Sequence, residues 1–208
     1  MEALSELVNS IKPILVVFHC GDVIPRRGVP IKYQEVMGNV VRAIDYFIEL
    51  SGDDKVKICL ENDDPRLYSL RIGVRLTSLA KVIDRLGYEG AGIALDVGHL
   101  YLAAELYGFN LLDEVRRNLS YVKHLHLNDN MGKCDGLGTR VWSRGLGDLH
   151  LPPGEGNAPI EEVLKLLVNS HYDGLYLLDL HPNSVNFDRE GLAKLTEELK
   201  HFKVFRRA

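Results

Sequence analysis

The chain has 208 residues, with 25 Lys plus Arg against 29 Asp plus Glu and a net charge of −4. At 46% apolar and 26% charged residues it has the composition of one globular domain with a sizeable core, which excludes wholesale disorder. No basic block advertises a polyanion partner, no apolar run approaches the roughly 20 residues that span a bilayer, and the acidic start Met1-Glu2-Ala3-Leu4-Ser5-Glu6 is unlike a signal peptide. Cys20, Cys59 and Cys134 match no zinc or disulfide spacing, so reduced thiols and a cytoplasmic location are expected.

A short helix is expected over residues 2–11 and a first strand over 14–20 (ILVVFHC). Val36, Met37, Val40, Val41, Ile44, Phe47 and Ile48 keep a 3.6-residue period and predict a helix over 33–50. A second strand, 56–62 (VKICLEN), precedes the stripe Leu76, Leu79, Ile83 and Leu86, a helix that Gly87 should stop. A third strand at 90–96 (GAGIALD), one long helix at 100–118 and a fourth strand at 122–129 (VKHLHLND) follow. Residues 130–158, rich in Gly and Pro, break the rhythm, and so long a loop in a compact domain usually carries function. A helix at 159–169 with Pro159 in its first turn, a fifth strand at 175–181 (LYLLDLH) and a helix at 188–202 complete the chain. Alternating strands and helices signify βα units around a parallel sheet. No linker or shift of composition divides them, so residues 1–208 read as a single domain.

In such folds the C-terminal strand ends form the chemical face. Here they carry His19, Glu61, Asp96 with His99 beyond it, His124 and His126, and Asp179 with His181. Each strand thus ends in a potential metal ligand among residues that otherwise read Ile, Leu, Val and Ala. Glu61 closes the apolar run Ile58-Cys59-Leu60, where an unpaired buried charge would cost too much, so it needs a cation or a solvated turn. His19 alone is equally a satisfied structural histidine, and Asp96 alone is equally the N-cap of the next helix. The alternation in His124-Leu125-His126-Leu127-Asn128 puts three polar groups on one face, where they call for a metal or a polar substrate. Carboxylate and imidazole donors together suit Zn²⁺, Mn²⁺ or Mg²⁺. In the long loop, Asp148-Leu149-His150 offers two further donors, and Gly154-Glu155-Gly156 can bring backbone amides close to a ligand.

Five segments, Phe18-His19-Cys20-Gly21, Leu60-Glu61-Asn62, Leu95-Asp96-Val97-Gly98-His99, His126-Leu127-Asn128-Asp129 and Asp148-Leu149-His150 with Gly154-Glu155-Gly156-Asn157, occur in an order and spacing that resemble the xylose isomerase-like TIM-barrel superfamily. That group holds sugar and sugar-phosphate isomerases and epimerases together with endonuclease IV. The resemblance implies an α/β fold of (β/α) TIM-barrel type, here a partial barrel of about five βα units equivalent to the fourth to eighth strands. It implies one divalent ion held by Glu61, Asp96, His126 and Asp179, with Glu61 and Asp179 moving protons on carbon through an enediolate. His99 would bind a substrate hydroxyl, Asn128 and Glu155 would face the substrate, and Arg140 and Arg144 would meet a phosphate. The closing carboxylate is usually Glu in the family, and Asp179 is shorter.

The expected activity is therefore that of a metal-dependent sugar or sugar-phosphate isomerase or epimerase. Two competitors stand beside it. An endonuclease IV-like enzyme would enlarge the constellation with His19, His99, Asp148 and His150 to bind zinc ions, although two arginines on a chain of charge −4 are thin support for nucleic acid. A non-catalytic metal-binding remnant is the other. A five-strand arc also leaves two open edges, so the expectation is an N-terminally incomplete barrel, a minimal variant, or a chain that closes as a homo-oligomer.

Overall fold

The computed structural model describes residues 1–51, 56–185 and 189–199. Helix α1 (Glu2–Ile11) leads to strand β1 (Leu15–His19), the short strand β2 (Asp22–Val23), helix α2 (Tyr33–Ser51), strand β3 (Lys57–Glu61) and the short strand β4 (Leu70–Arg71). Then come α3 (Leu76–Leu86), β5 (Ala91–Asp96), α4 (Val97–Tyr107), α5 (Leu111–Asn118), β6 (Val122–Leu127), α6 (Ile160–Asn169), β7 (Leu175–Leu178) and α7 (Arg189–Leu199). β1, β3, β5, β6 and β7 form one parallel sheet in that order, curled into the arc of a partial TIM barrel. The outer helices pack in chain order, α1 on α2, α2 on α3, α3 on α5 and α5 on α6.

Strand composition explains the curl and the layering. All six residues of β5 are buried. Ile93 and Leu95 enter the apolar core beneath the helices, whereas Ala94 and Asp96 point to the concave side by the period of two. Small residues on that side leave room for polar side chains. Among the described residues β1 and β7 each have one sheet neighbour, and Leu175 and Leu177, in register with His124 and His126, are exposed on the concave face. No described helix is long and apolar enough to cross a membrane, and the three cysteines are unpaired.

Several expected boundaries move for identifiable reasons. The single helix over 100–118 is two helices. Gly108, at φ 68°, takes the left-handed conformation and donates its N–H to Ala104, closing α4. The Asn110 side chain then accepts the Asp113 N–H and starts α5. The fourth strand stops at Leu127 and the fifth at Leu178, although the Asp179 N–H still bonds to the Leu127 carbonyl at 3.1 Å. Gly87 stops α3 as expected, with φ 60°. The terminal helix is described over Arg189–Leu199, and the rest of its expected range lies outside the described residues. An antiparallel pairing of β2 with β4 was not legible in the sequence, because each strand is two residues long.

Helix α3 has no cap of its own at Arg75. Its exposed amide is served from α5, whose buried Glu114 accepts the Thr77 N–H at 2.9 Å and pairs with Arg75. Burial pushes the Glu114 carboxyl up, but the Arg75 and Thr77 hydrogen bonds outweigh it and hold it below its ordinary value. Glu114→Ala should cost about 2 kcal/mol at neutral pH, since it leaves the half-buried Thr77 N–H and Arg75 without their partner. A group with a depressed folded pKa stabilises fully above its unfolded value of about 4.3 and loses that stabilisation as pH falls through the folded value. Urea denaturation at pH 7 and pH 3 should therefore show the gap between variant and parent narrowing in acid.

Candidate metal centre

The register of the parallel sheet assembles the centre. Glu61 lies opposite Ala94 and Asp96 opposite His126, while the bonded Asp179 follows the last residue of β7. Glu61, Asp96, His126 and Asp179 each offer one ligand atom, all within 4.8 Å of one another. The His126 Nδ1–H donates to Glu61 Oε1 at 2.9 Å and lies 4.0 Å from Asp96 Oδ2 and 3.8 Å from Asp179 Oδ2. Three carboxylates thus surround a single imidazole nitrogen, Nδ1, which ligates once its proton moves to Nε2, and such a set suits a divalent cation. His126 Nε2 is buried with no hydrogen-bond partner.

The charges respond to this crowding. Burial raises Glu61, but the His126 hydrogen bond and the nearby imidazoles bring it below its ordinary value. Burial and the Glu61 charge raise Asp96. Asp96 is wholly buried, and its two oxygens accept the His99 N–H at 2.7 Å and the Asn128 amide at 2.7 Å. It is therefore helix N-cap and candidate ligand at once, because a carboxylate has lone pairs for both.

A second group adjoins the first: His99, Asp148 and His150. His99 Nδ1 donates to the Asn62 carbonyl at 3.0 Å and His150 Nδ1 to the Asp179 carbonyl at 2.9 Å, so both rings aim Nε2 at Asp148 Oδ2, at 3.3 and 2.9 Å. Backbone carbonyls fixing one nitrogen so that the other faces a polar centre is the arrangement that orients metal-binding or substrate-binding imidazoles. His150 holds a left-handed backbone, φ 49°, uncommon for a residue with a side chain and frequent at functional positions. Burial lowers the His150 pKa, yet Asp148 lifts it to about 9, and in return the two imidazoles hold Asp148 far below the carboxylate range.

Both groups open onto a cavity of about 590 Å³, lined by Glu61, Asp179, His99, Asp148 and His150 and, on the far wall, by the Asp22-Asp63-Asp64-Arg71 cluster with His19 and Gly21. His19 bridges the two sides, 3.2 Å from Glu61 Oε2 and 2.8 Å from Asp63 Oδ1. The Asp63 hydrogen bond raises the His19 pKa, against burial.

Other expected residues sit elsewhere. Asn128 is fully buried and serves Asp96, and Arg140 pairs with Asp148 at 3.2 Å. Arg144 is exposed, and Glu155 lines a separate groove beside Ser184 and Lys194. His124 lies one layer below, its ring edge-on to His126 at 4.8 Å, and is no member of either ligand group. Sequence reasoning missed Asn62, which brackets Asp96 with two hydrogen bonds, and the buried acids Asp63 and Asp64. The signal was present in Glu61-Asn62-Asp63-Asp64, four polar residues directly after an apolar strand.

The long loop is anchored at its root. Asp129 accepts backbone N–H groups from Asn130, Gly154 and Ala158 at 2.8, 3.0 and 2.9 Å, and a Cβ at Gly156 would overlap its carboxylate. This clamp holds the segment that delivers Asp148 and His150.

A barrel-type arc with carboxylates and imidazoles gathered at its strand ends defines the class of protein. The pattern of the family "Xylose isomerase-like TIM barrel" matches residues 2–203, and the chain belongs to that family. Uncharacterized protein MJ1311 of Methanocaldococcus jannaschii is 27% identical over 145 residues, covering 70% of this chain and 44% of that protein. Uncharacterized protein Rv0498 of Mycobacterium tuberculosis is 31% identical over 128 residues, covering 62% and 40%. The chain thus spans less than half the length of these curated relatives. A solved D-tagatose 3-epimerase-like protein superposes with a TM-score of 0.70 at 25% identity, over 97% of this chain and 66% of that one. A 3-keto-D-glucoside 4-epimerase from E. coli shares the fold, with a TM-score of 0.60 at 13% identity, over 97% and 68%.

Two outcomes are expected. Asp129→Ala should speed amide exchange at residues 130, 154 and 158 by a factor corresponding to about 2–3 kcal/mol of local stability, with the sheet unchanged, as read by hydrogen exchange. In the metal-free chain the His150 imidazole should titrate near pH 9 and return towards 6.5 in Asp148→Asn. The raised value means that this pair stabilises the fold below pH 6.5 and ceases to as pH rises through 9. NMR titration of the histidine ring protons measures the shift.

Proposed function

We propose that the protein is a metal-dependent sugar isomerase or epimerase that works through an enediolate. The observation that carries this reading is the convergence of Glu61, Asp96, His126 and Asp179 within 4.8 Å beside an open cavity, in a fold shared with sugar epimerases. A divalent ion bound there would neutralise the oxyanion that develops when a carbon beside a carbonyl loses its proton. Asp96 and His126, together with Glu61 and Asp179, would hold that ion. Glu61 and Asp179, which line the cavity, would move the proton. One carboxylate takes the proton from carbon, the C–H pair becomes the carbon–carbon double bond, and the carbonyl oxygen takes the displaced pair. Return of a proton to the opposite face of the same carbon by the other carboxylate, with the oxygen pair re-forming the carbonyl, gives the epimer. Return to the former carbonyl carbon, with the neighbouring hydroxyl proton passing to the first oxygen as the new carbonyl forms, gives the isomer.

The His99-Asp148-His150 group supports a second reading, a zinc-dependent endonuclease of the endonuclease IV type, in which both groups carry metal. Metal stoichiometry and cleavage of an abasic-site duplex separate the two. One ion per chain with no cleavage is expected, and two or more zinc ions with cleavage would favour the nuclease.

Substitutions at Asp179 test the closing carboxylate. Asp179→Ala should weaken Mn²⁺ binding at least tenfold, Asp179→Asn should weaken it less, and Asp179→Glu should retain it and raise activity. The longer side chain brings the carboxylate about 1.5 Å nearer the substrate carbon, against a tolerance of about 0.5 Å. Calorimetric titration gives the affinities, and exchange of substrate carbon-bound hydrogen into deuterated water gives the activity. Unchanged Mn²⁺ affinity in Asp179→Ala would remove the residue from the ligand set.

A further inference from the structure

We infer that the cavity beyond the ligand group takes an uncharged, hydroxyl-rich sugar and rejects its phosphate ester, an inference that rests on the epimerase reading above. A phosphate subsite needs donors that are free to turn to it: an unpaired Arg or Lys, or a run of open backbone amides. Among the described residues, the cationic and cationisable ones lining this cavity are Arg71, His19, His99 and His150, and each already touches a carboxylate. Arg71 lies against both oxygens of Asp22, Nη2 donating at 3.1 Å while the buried Nε makes no hydrogen bond among the described residues, and its Nη1 donates to the Asp64 carbonyl at 3.1 Å and to the Asp64 carboxylate. A guanidinium has five N–H donors, and most of these are spent. His19 is held between Glu61 and Asp63, and the Nε2 atoms of His99 and His150 both face Asp148.

Arg140, expected from the sequence to meet a phosphate, is not on the lining and pairs through Nη2 with Asp148 at 3.2 Å, and Arg66, also off the lining, pairs with Asp64. The carboxylates on the lining are Asp22, Glu61, Asp63, Asp64, Asp148 and Asp179. A phosphate dianion would face this excess of negative charge in a partly desolvated space, where like charges repel more strongly than in water. A divalent ion does not reverse the balance, because the donor set around it already contains three carboxylates. Sugar hydroxyls, by contrast, donate hydrogen bonds, and unfilled carboxylate lone pairs accept them. The lining thus matches a neutral polyol on chemical grounds as well as excluding an anion.

The test uses the full chain loaded with Mn²⁺ and a panel of ketopentoses and ketohexoses, each paired with its terminal phosphate ester. Paramagnetic broadening of the sugar protons reports binding without requiring turnover. The free sugars should bind at least tenfold more tightly than their esters, and 10 mM inorganic phosphate should displace none of them. Asp22→Asn and Asp64→Asn, each removing one charge beside Arg71, should narrow the preference about threefold and leave Mn²⁺ affinity unchanged. Esters that bind as tightly as the free sugars, or binding by no member of the panel, would overturn the inference. Failure of the chain to hold Mn²⁺ would instead remove the epimerase reading, and saturation-transfer measurements on the same pairs without metal then decide the charge preference alone.

Discussion

Carboxylates repel one another, and burying several at one point is tolerable only where donors or a cation answer them. Glu61, Asp96 and Asp179 meet at such a point, and much of the surrounding structure answers their charge. His126 supplies its N–H to Glu61, the first turn of α4 supplies the His99 amide to Asp96, and Asn128 supplies a side-chain amide to the other Asp96 oxygen. His19 approaches Glu61 from the opposite side. These donors come from three different strands, β1, β5 and β6, or the turns after them, so the site exists only when the parallel register is correct. A one-residue slip of β5 against β6 would turn Asp96 into the apolar layer beneath the helices.

The neighbouring polar layer ties the two ligand groups together. Asn128 holds Asp96, Asn130 Nδ2 lies 3.4 Å from Asn128 Oδ1 and 3.3 Å from Asp148 Oδ1, and the Asn130 side-chain oxygen accepts the Leu149 N–H. A continuous run of buried side chains thus joins Asp96 in the first group to Asp148 in the second. Gly98 makes the passage possible: a Cβ there would overlap Asn128 Oδ1 and crowd Asn130. Glycine in the first turn of α4 is therefore required by the close approach of these amides, beyond any demand of backbone conformation.

The strands and their order were legible because short β-branched runs and 3.6-residue stripes are local signals, and Glu61, Asp96, His126 and Asp179 were legible because each interrupts an apolar strand end. The split of the helix over 100–118 was missed although Gly108 and Asn110 carry its signature, since the apolar stripe continues on both sides of the break. The roles of Asn128, Arg140 and Glu155 were not legible for another reason. Whether a polar loop residue faces a cavity or a buried carboxylate depends on tertiary placement, and Asp129 fixes that placement by gathering amides from residues up to 29 positions away. The far wall of Asp22, Asp63, Asp64 and Arg71 depends in turn on the two-residue pairing of β2 with β4, too short to leave a periodic trace.

Exposure sorts the carboxylates by what each can do. Asp96 is fully buried with an N–H donor on each oxygen, so its carboxylate is fixed and does not reach the cavity. Glu61 is almost as buried but directs Oε2 towards His19 and borders the cavity. Asp179 is the most open of the three, with 40% of its side chain exposed, while its N–H and carbonyl are both bonded, to Leu127 and to His150. Its backbone is therefore pinned, while its carboxylate, 3.5 Å from His150 Nδ1 and 3.8 Å from His126 Nδ1, stays open to the cavity. A group that only holds an ion gains from rigidity, whereas a group that carries a proton to and from carbon must border the space where carbon sits. Under the proposed chemistry this gradient suits Asp96 to coordination only, and Glu61 and Asp179 to coordination together with proton transfer.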